Sequence, residues 1–164
     1  MSEAEHLADA LRGLFSNPGH GWFTPFCVST EALSAAQASS VPAERFNSVW
    51  AVVNHVRFWQ DSVRLRLEGA PVERATLGAE DGWPAVGDGQ SEDAWVAARS
   101  AALQSNETLA GCVACLDEAS LGEPYQEGRA LRSQLIHGII GHNCYHACEI
   151  ISIRHMLGLW LERT

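Results

Sequence analysis

The 164-residue chain has little positive charge: 11 basic residues stand against 20 acidic ones, for a formal net charge of −9 and a pI near 5.1. Such a surface repels phosphate backbones and anionic headgroups, which argues against nucleic acid or membrane as a partner. No run of about 18 uninterrupted apolar residues exists, so no bilayer span is expected. The opening stretch MSEAEHLADALRGLF carries acids and no basic region ahead of an apolar one, so no signal peptide is expected either. Five cysteines, an odd number, do not suggest a disulfide framework, and the cytoplasm is the expected compartment. Also missing are a phosphate-cradling glycine loop, a Ser-His-Asp arrangement, a basic aromatic groove, internal repeats and low-complexity tracts. Strand signals are scarce, since short alternating β-branched runs bounded by turns do not recur.

What remains is an ordinary globular composition, 46% hydrophobic and 19% charged, at a length that suits a single domain over residues 1–164. Helical periodicity dominates. A short leading helix is expected over 2–15, stopped by Asn17-Pro18-Gly19. Thr24-Pro25 resembles an N-cap with proline in the first turn and opens a helix of about 24–36. Further helices are expected over 48–68, ended by Gly69 and Pro71, over 91–116, capped by Ser91 with Glu92 and Asp93 behind it, and over 130–160. Each amphipathic rod must bury a stripe. The simplest solution is an all-α four-helix bundle built from 24–36, 48–68, 91–116 and 130–160, with a long crossover loop at 69–90. Loops of that length are usually functional.

The last helix holds four histidines in His137–His155. With His142 as origin and about 100° per residue, His146 falls about 40° to one side and Glu149 about 20° to the other. Ile139, Ile150, Ile153 and Leu157 share this side, so His142 and His146 sit in the inward stripe. His137 and His155 lie about 140° away and face solvent or a subunit contact. On the helix 48–68, His55 lies within about 100° of Val52, Val56, Trp59 and Val63, while Asn54, Arg57, Gln60, Asp61, Arg64 and Glu68 cover the opposite face. Three inward imidazoles on two rods each bury a polar group at a cost of roughly 1–3 kcal/mol if unpartnered. A shared metal ion removes that penalty. Three imidazoles leave a coordination position open, as catalytic sites do, and suit zinc, nickel, copper or iron without choosing among them. The Glu-x-x-His pattern of di-iron bundles is absent.

Glu149 is a candidate fourth ligand, acceptor for an imidazole N–H, or general base; the plain alternative is a carboxylate at the wet mouth of the bundle. Cys112 and Cys115 form a C-x-x-C without the βαβ context of a redox motif, and Cys144 and Cys148 lie about 160–200° round from His142. All four are expected to be small buried hydrophobes. Gly82-Trp83-Pro84 either lids the metal or packs the long loop onto the bundle.

The segments Gly21-Trp22-Phe23-Thr24-Pro25, Ser48 through Trp59, Arg66-Leu67-Glu68-Gly69, Trp83-Pro84 and, most closely, His137 through Ile150 resemble the DinB-like (YfiT-like) metal-binding four-helix bundles. The resemblance covers most of the chain. It implies His55, His142 and His146 as the metal triad, nickel or zinc as the ion and a homodimer. It also implies a thiol-dependent S-transferase or isomerase using a low-molecular-weight thiol, or a metal-dependent hydrolase, acting on a small molecule. The chain departs from that branch at Asn143 (often Asp), Cys148 (usually Gly) and Glu149 (usually Gln), the last adding negative charge beside the metal. Thiol transfer is the first expectation and hydrolysis the second. The rivals are a non-catalytic metal-binding stress-response bundle and a metal-free interaction module.

Overall fold

The computed structural model describes residues 1–18, 22–73, 77–79 and 81–161. Gly19 and Gly21, to which the first stop signal and the aromatic entry were assigned, lie outside the described residues. The element order is α1 (Glu3–Ser16), α2 (Phe26–Ser29), α3 (Ala35–Ser39), α4 (Val49–Leu67), α5 (Glu92–Ala114), α6 (Glu118–Leu121) and α7 (Arg132–Met156). The fold is all-α, and no helix among the described residues is long and apolar enough to cross a membrane.

The four rods of the bundle are α1, α4, α5 and α7. α4 lies between α5 and α7, and α1 closes the square on the other side of the same two helices. This corrects the expected set, in which 24–36 was a rod and 2–15 only a leader. α1 has what a rod needs. Ser2 and Glu5 form a capping box, and Ala4, Leu7, Ala8, Leu11 and Phe15 bury one stripe. The 24–36 segment breaks for local reasons. The Ser29 and Thr30 hydroxyls both donate to the Phe26 carbonyl, at 2.9 and 2.8 Å, competing with the helical ladder. Ala32 then takes a positive φ of 53°, and Ser34 starts a new helix with its own capping box to Gln37. The segment becomes α2 and α3.

Ser48 and Ser91 cap α4 and α5 through side-chain bonds to Ala51 N and Ala94 N, as the sequence suggests. α7 stops at Met156 rather than near residue 160, because Gly158 turns the chain at φ +73°. The Arg154 guanidinium then bonds the carbonyls of Ser29, Glu31 and Leu159, fastening α2 and the C-terminal turn to α7.

The core is two apolar clusters. One surrounds Phe15, Phe26, Trp50, Trp95 and Ile150; the other surrounds Leu7, Leu11, Val63, Leu109 and Ile136. Between them in sequence on three helices stand buried Gln60, Asn106 and Asn143. Asn106 Oδ1 accepts from Gln60 Nε2 and from Asn143 Nδ2, each at 3.4 Å, and its own Nδ2 donates to Leu11 O at 3.1 Å. Gln60, expected on the polar face, is fully buried, because α4 is packed on both flanks and that face meets α5.

Candidate metal centre

α4 and α7 carry the site. The helical repeat sets His142 one turn before His146 and turns both toward α4, where His55 sits in the buried stripe. One ligand-capable nitrogen from each of His55, His142 and His146 lies within 4.8 Å of the other two. His55 and His146 are buried at 7% and 5% exposure, and His142 is partly buried. His55 Nε2 and His142 Nε2 are 3.2 Å apart. The edge of a tetrahedral site with zinc–nitrogen bonds of about 2.0–2.1 Å is about 3.3 Å.

The neighbours fix which nitrogens are bare. His55 Nδ1 lies 2.6 Å from the Gly82 carbonyl, which can only accept, so the ring proton is on Nδ1 and Nε2 carries a lone pair. His146 Nδ1 lies 2.6 Å from Glu149 Oε2, which takes the Nδ1 proton as acceptor and, in the neutral ring, leaves Nε2 as the bare nitrogen. Glu149 Oε1 in turn accepts from Asn47 Nδ2 at 3.1 Å. A carboxylate or carbonyl behind a ligating imidazole is the usual support of a metal site, fixing tautomer and ring orientation. His142 Nδ1 is buried beside the Asn143 side chain, with no partner at full hydrogen-bond geometry. The residues present therefore fit a divalent cation: bare imidazole nitrogens converge on one point, and two are held there from behind.

Electrostatics point the same way. Burial lowers the His55 pKa and, with the adjacent His146 and His55 rings, pushes that of His142 down to about 4. Both rings stay neutral at physiological pH, the form that binds metal. The hydrogen bond from His146 is the main cause holding the Glu149 carboxyl below its ordinary value, so Glu149 is ionised.

The crossover between α4 and α5 closes over His55. Trp83 stacks on the His55 ring with centroids 3.8 Å apart and planes 15° apart, while its backbone N–H donates to Asp81 Oδ1 at 3.0 Å. Gly82 has φ +83°, and a Cβ there would stand 3.0–3.1 Å from the Trp59 indole, so only glycine brings this carbonyl to His55 without strain. Asn54 Nδ2 holds the next stretch through Ala85 O at 2.8 Å. The packing reading of Gly82-Trp83-Pro84 is the one seen: the loop packs on the bundle by packing on a candidate ligand.

Of the residues singled out from sequence, His55, His142, His146 and Glu149 come together. His137 and His155 are exposed; His137 Nδ1 meets the Ser133 carbonyl at 2.7 Å and His155 stacks on Trp160. The cysteines differ from expectation. All five are free, Cys115, just past the end of α5, and Cys148 are exposed, and Cys112 and Cys144 are only partly buried. Sequence reasoning missed the Gly82 carbonyl and Asn47. Asp81-Gly82 announces a turn with positive φ, but nothing in the pattern says where its carbonyl goes.

A sequence profile of the DinB superfamily matches residues 29–150. The chain belongs to the DinB superfamily. The matched region contains all three histidines, Glu149, Asn47 and the crossover, and leaves out α1. No curated protein sequence and no solved structure is significantly similar to the chain. As a DinB-superfamily bundle it carries a three-histidine cluster able to hold a metal ion.

Proposed function

We propose that this DinB-superfamily chain is a metal-dependent enzyme holding one divalent cation, nickel or zinc, on His55, His142 and His146. The observation that carries the reading is the pair of imidazoles with Nδ1 already donated, to Gly82 O and Glu149, and Nε2 left bare in the same cluster. Bound there, the cation supplies Lewis acidity that lowers the pKa of a water or thiol taken up beside it.

The chain's own residues do the rest. Glu149 orients His146 rather than serving as a general base, since its two oxygens are engaged by His146 and Asn47. Gly82 orients His55, and Trp83 covers one face of that ring, keeping bulk water from it. Transfer of a low-molecular-weight thiol to an electrophilic small molecule is the first reading and hydrolysis the second, a ranking that rests on family resemblance. A cytoplasmic homodimer belongs to the same proposal.

Elemental analysis of tag-free wild type beside His146→Ala tests the ligand set. The wild type is expected to hold about one metal per chain and the variant to lose most of it; full retention by the variant defeats the proposal. A screen of small thiols with chlorodinitrobenzene, and of 4-nitrophenyl esters without thiol, then tests turnover against the metal-free control. Metal bound, melting temperature dropping on its removal and no turnover in either arm would leave a non-catalytic metal-binding bundle.

A further inference from the structure

A concavity adjoins the metal cluster. Between α4 and α7 a cavity of about 270 Å³ is lined by Trp59, Val63, Leu135, Ile139 and His142. Val63 and Ile139 are buried core residues, Trp59 and Leu135 are partly buried, and His142, itself one of the metal candidates, lines the cavity beside Trp59. Among the lining residues the polar side-chain groups are those of His142 and Gln134 and the Trp59 indole N–H, and Gln134 already uses its Oε1 to accept from Leu131 N at 3.1 Å. The cavity therefore has almost nothing with which to solvate a charged or sugar-like group. Its volume is below that of a typical drug-sized site, too small for a helix and suited to one short alkyl or aryl group. Gly138, exposed on α7, lines the same cavity, and a Cβ built on it would meet nothing within 4 Å. The space over residue 138 is open, and a larger side chain there would extend into it.

We infer that this cavity holds the apolar part of the substrate, an uncharged alkyl or aryl group of about six carbons, and that Gly138 sets how deep that group can go. The inference rests on the metal reading, because it places the reacting end of the same molecule at the cation beside His142. It assigns the apolar group to the electrophile or ester, not to a polar thiol.

The test uses metal-loaded, tag-free protein and a series of alkyl hydroxamates, from acetohydroxamate to octanohydroxamate, titrated by calorimetry. The hydroxamate head takes the metal and the tail reports the cavity. In the wild type each added methylene is expected to tighten binding about fourfold until the cavity is full. Gly138→Leu fills the space and is expected to abolish that gain while metal content and acetohydroxamate affinity stay unchanged. Gly141→Leu, on the same helix outside the cavity and also with open space at its Cβ, is expected to keep the gain; melting temperatures report folding of both variants. Acetohydroxamate binding with no gain from the tail, or a gain that survives in Gly138→Leu, overturns the inference alone. Absence of metal by elemental analysis, with no hydroxamate bound, overturns the metal reading and the inference with it.

Discussion

Glu149→Gln is the sharpest probe of how the site is held. In the native arrangement one carboxylate serves two donors, His146 Nδ1 at 2.6 Å and Asn47 Nδ2 at 3.1 Å. Glutamine has a single acceptor oxygen. If it faces His146, its amide NH₂ meets the Asn47 NH₂, donor against donor. The bond to His146 also loses its charge, which roughly halves its strength. The combined loss at the ligand is about 1–2 kcal/mol, or roughly tenfold in metal affinity, at the low end of the 10–100-fold range for such supporting groups. Glu149→Ala leaves the His146 N–H without a partner and the ring unanchored, and the loss approaches about a hundredfold. Asn47→Asp placed in the Glu149→Gln background gives the new amide an acceptor and is expected to restore part of the loss. Placed alone, it sets two carboxylates face to face and weakens binding. Competition against a chromophoric chelator measures all four variants, with melting of the metal-free proteins as the fold control. Both single Glu149 variants binding within twofold of wild type would refute the reasoning, as would a double variant weaker than Glu149→Gln alone.

Three further outcomes are expected. The metal-free protein loses stability as pH falls: folded His142 stays neutral down to about 4 while the unfolded imidazole takes its proton near 6.5, so the unfolded state binds more protons in between. The loss is up to about 3 kcal/mol between those values, reduced to about 2 by the partial exposure of His142; denaturant melts at pH 7 and pH 4.5 that agree would contradict it. Gly82→Ala strains a backbone at φ +83° and drives a methyl against Trp59, at a cost of about 1–2 kcal/mol. It is expected to speed proteolysis of the crossover and weaken metal binding, and an unchanged cleavage rate would count against the loop's anchoring role. Native alkylation followed by mass spectrometry is expected to label exposed Cys115 and Cys148 first. Cys27, Cys112 and Cys144, whose thiol pKa values burial raises, should lag; the reverse order would show the helix edges to be wrong.

The candidate site was legible in the sequence to the extent that helical phase determines it. The azimuths of His55, His142 and His146 follow from 100° per residue once α4 and α7 are recognised, and so does the outward placing of His137 and His155. Phase fails where a helix has more than one packed neighbour. Gln60 lies far from His55 around α4, yet it is buried because α5 covers that side. It fails again where side chains compete for backbone groups, as Ser29 and Thr30 do at the end of α2. The support from Gly82 and Asn47 comes from loops, whose course depends on tertiary contacts and not on any repeat.

The layer of Gln60, Asn106 and Asn143 has a consequence for alignment. Through Asn106 it touches all four rods: Leu11 on α1, Gln60 on α4, its own α5 and Asn143 on α7. Apolar side chains tolerate sliding, since one methyl replaces another at little cost. Amides do not. If α7 moved by one turn along α4, Asn143 would leave Asn106 and bury its carboxamide among isoleucine and alanine side chains, at roughly 1–3 kcal/mol. Gln60 Oε1 lies buried without a partner, so the layer is an expense to stability even as it stands. It works as an index mark: a single lengthwise setting of α7 satisfies it, and that setting is the one that brings His142 and His146 level with His55.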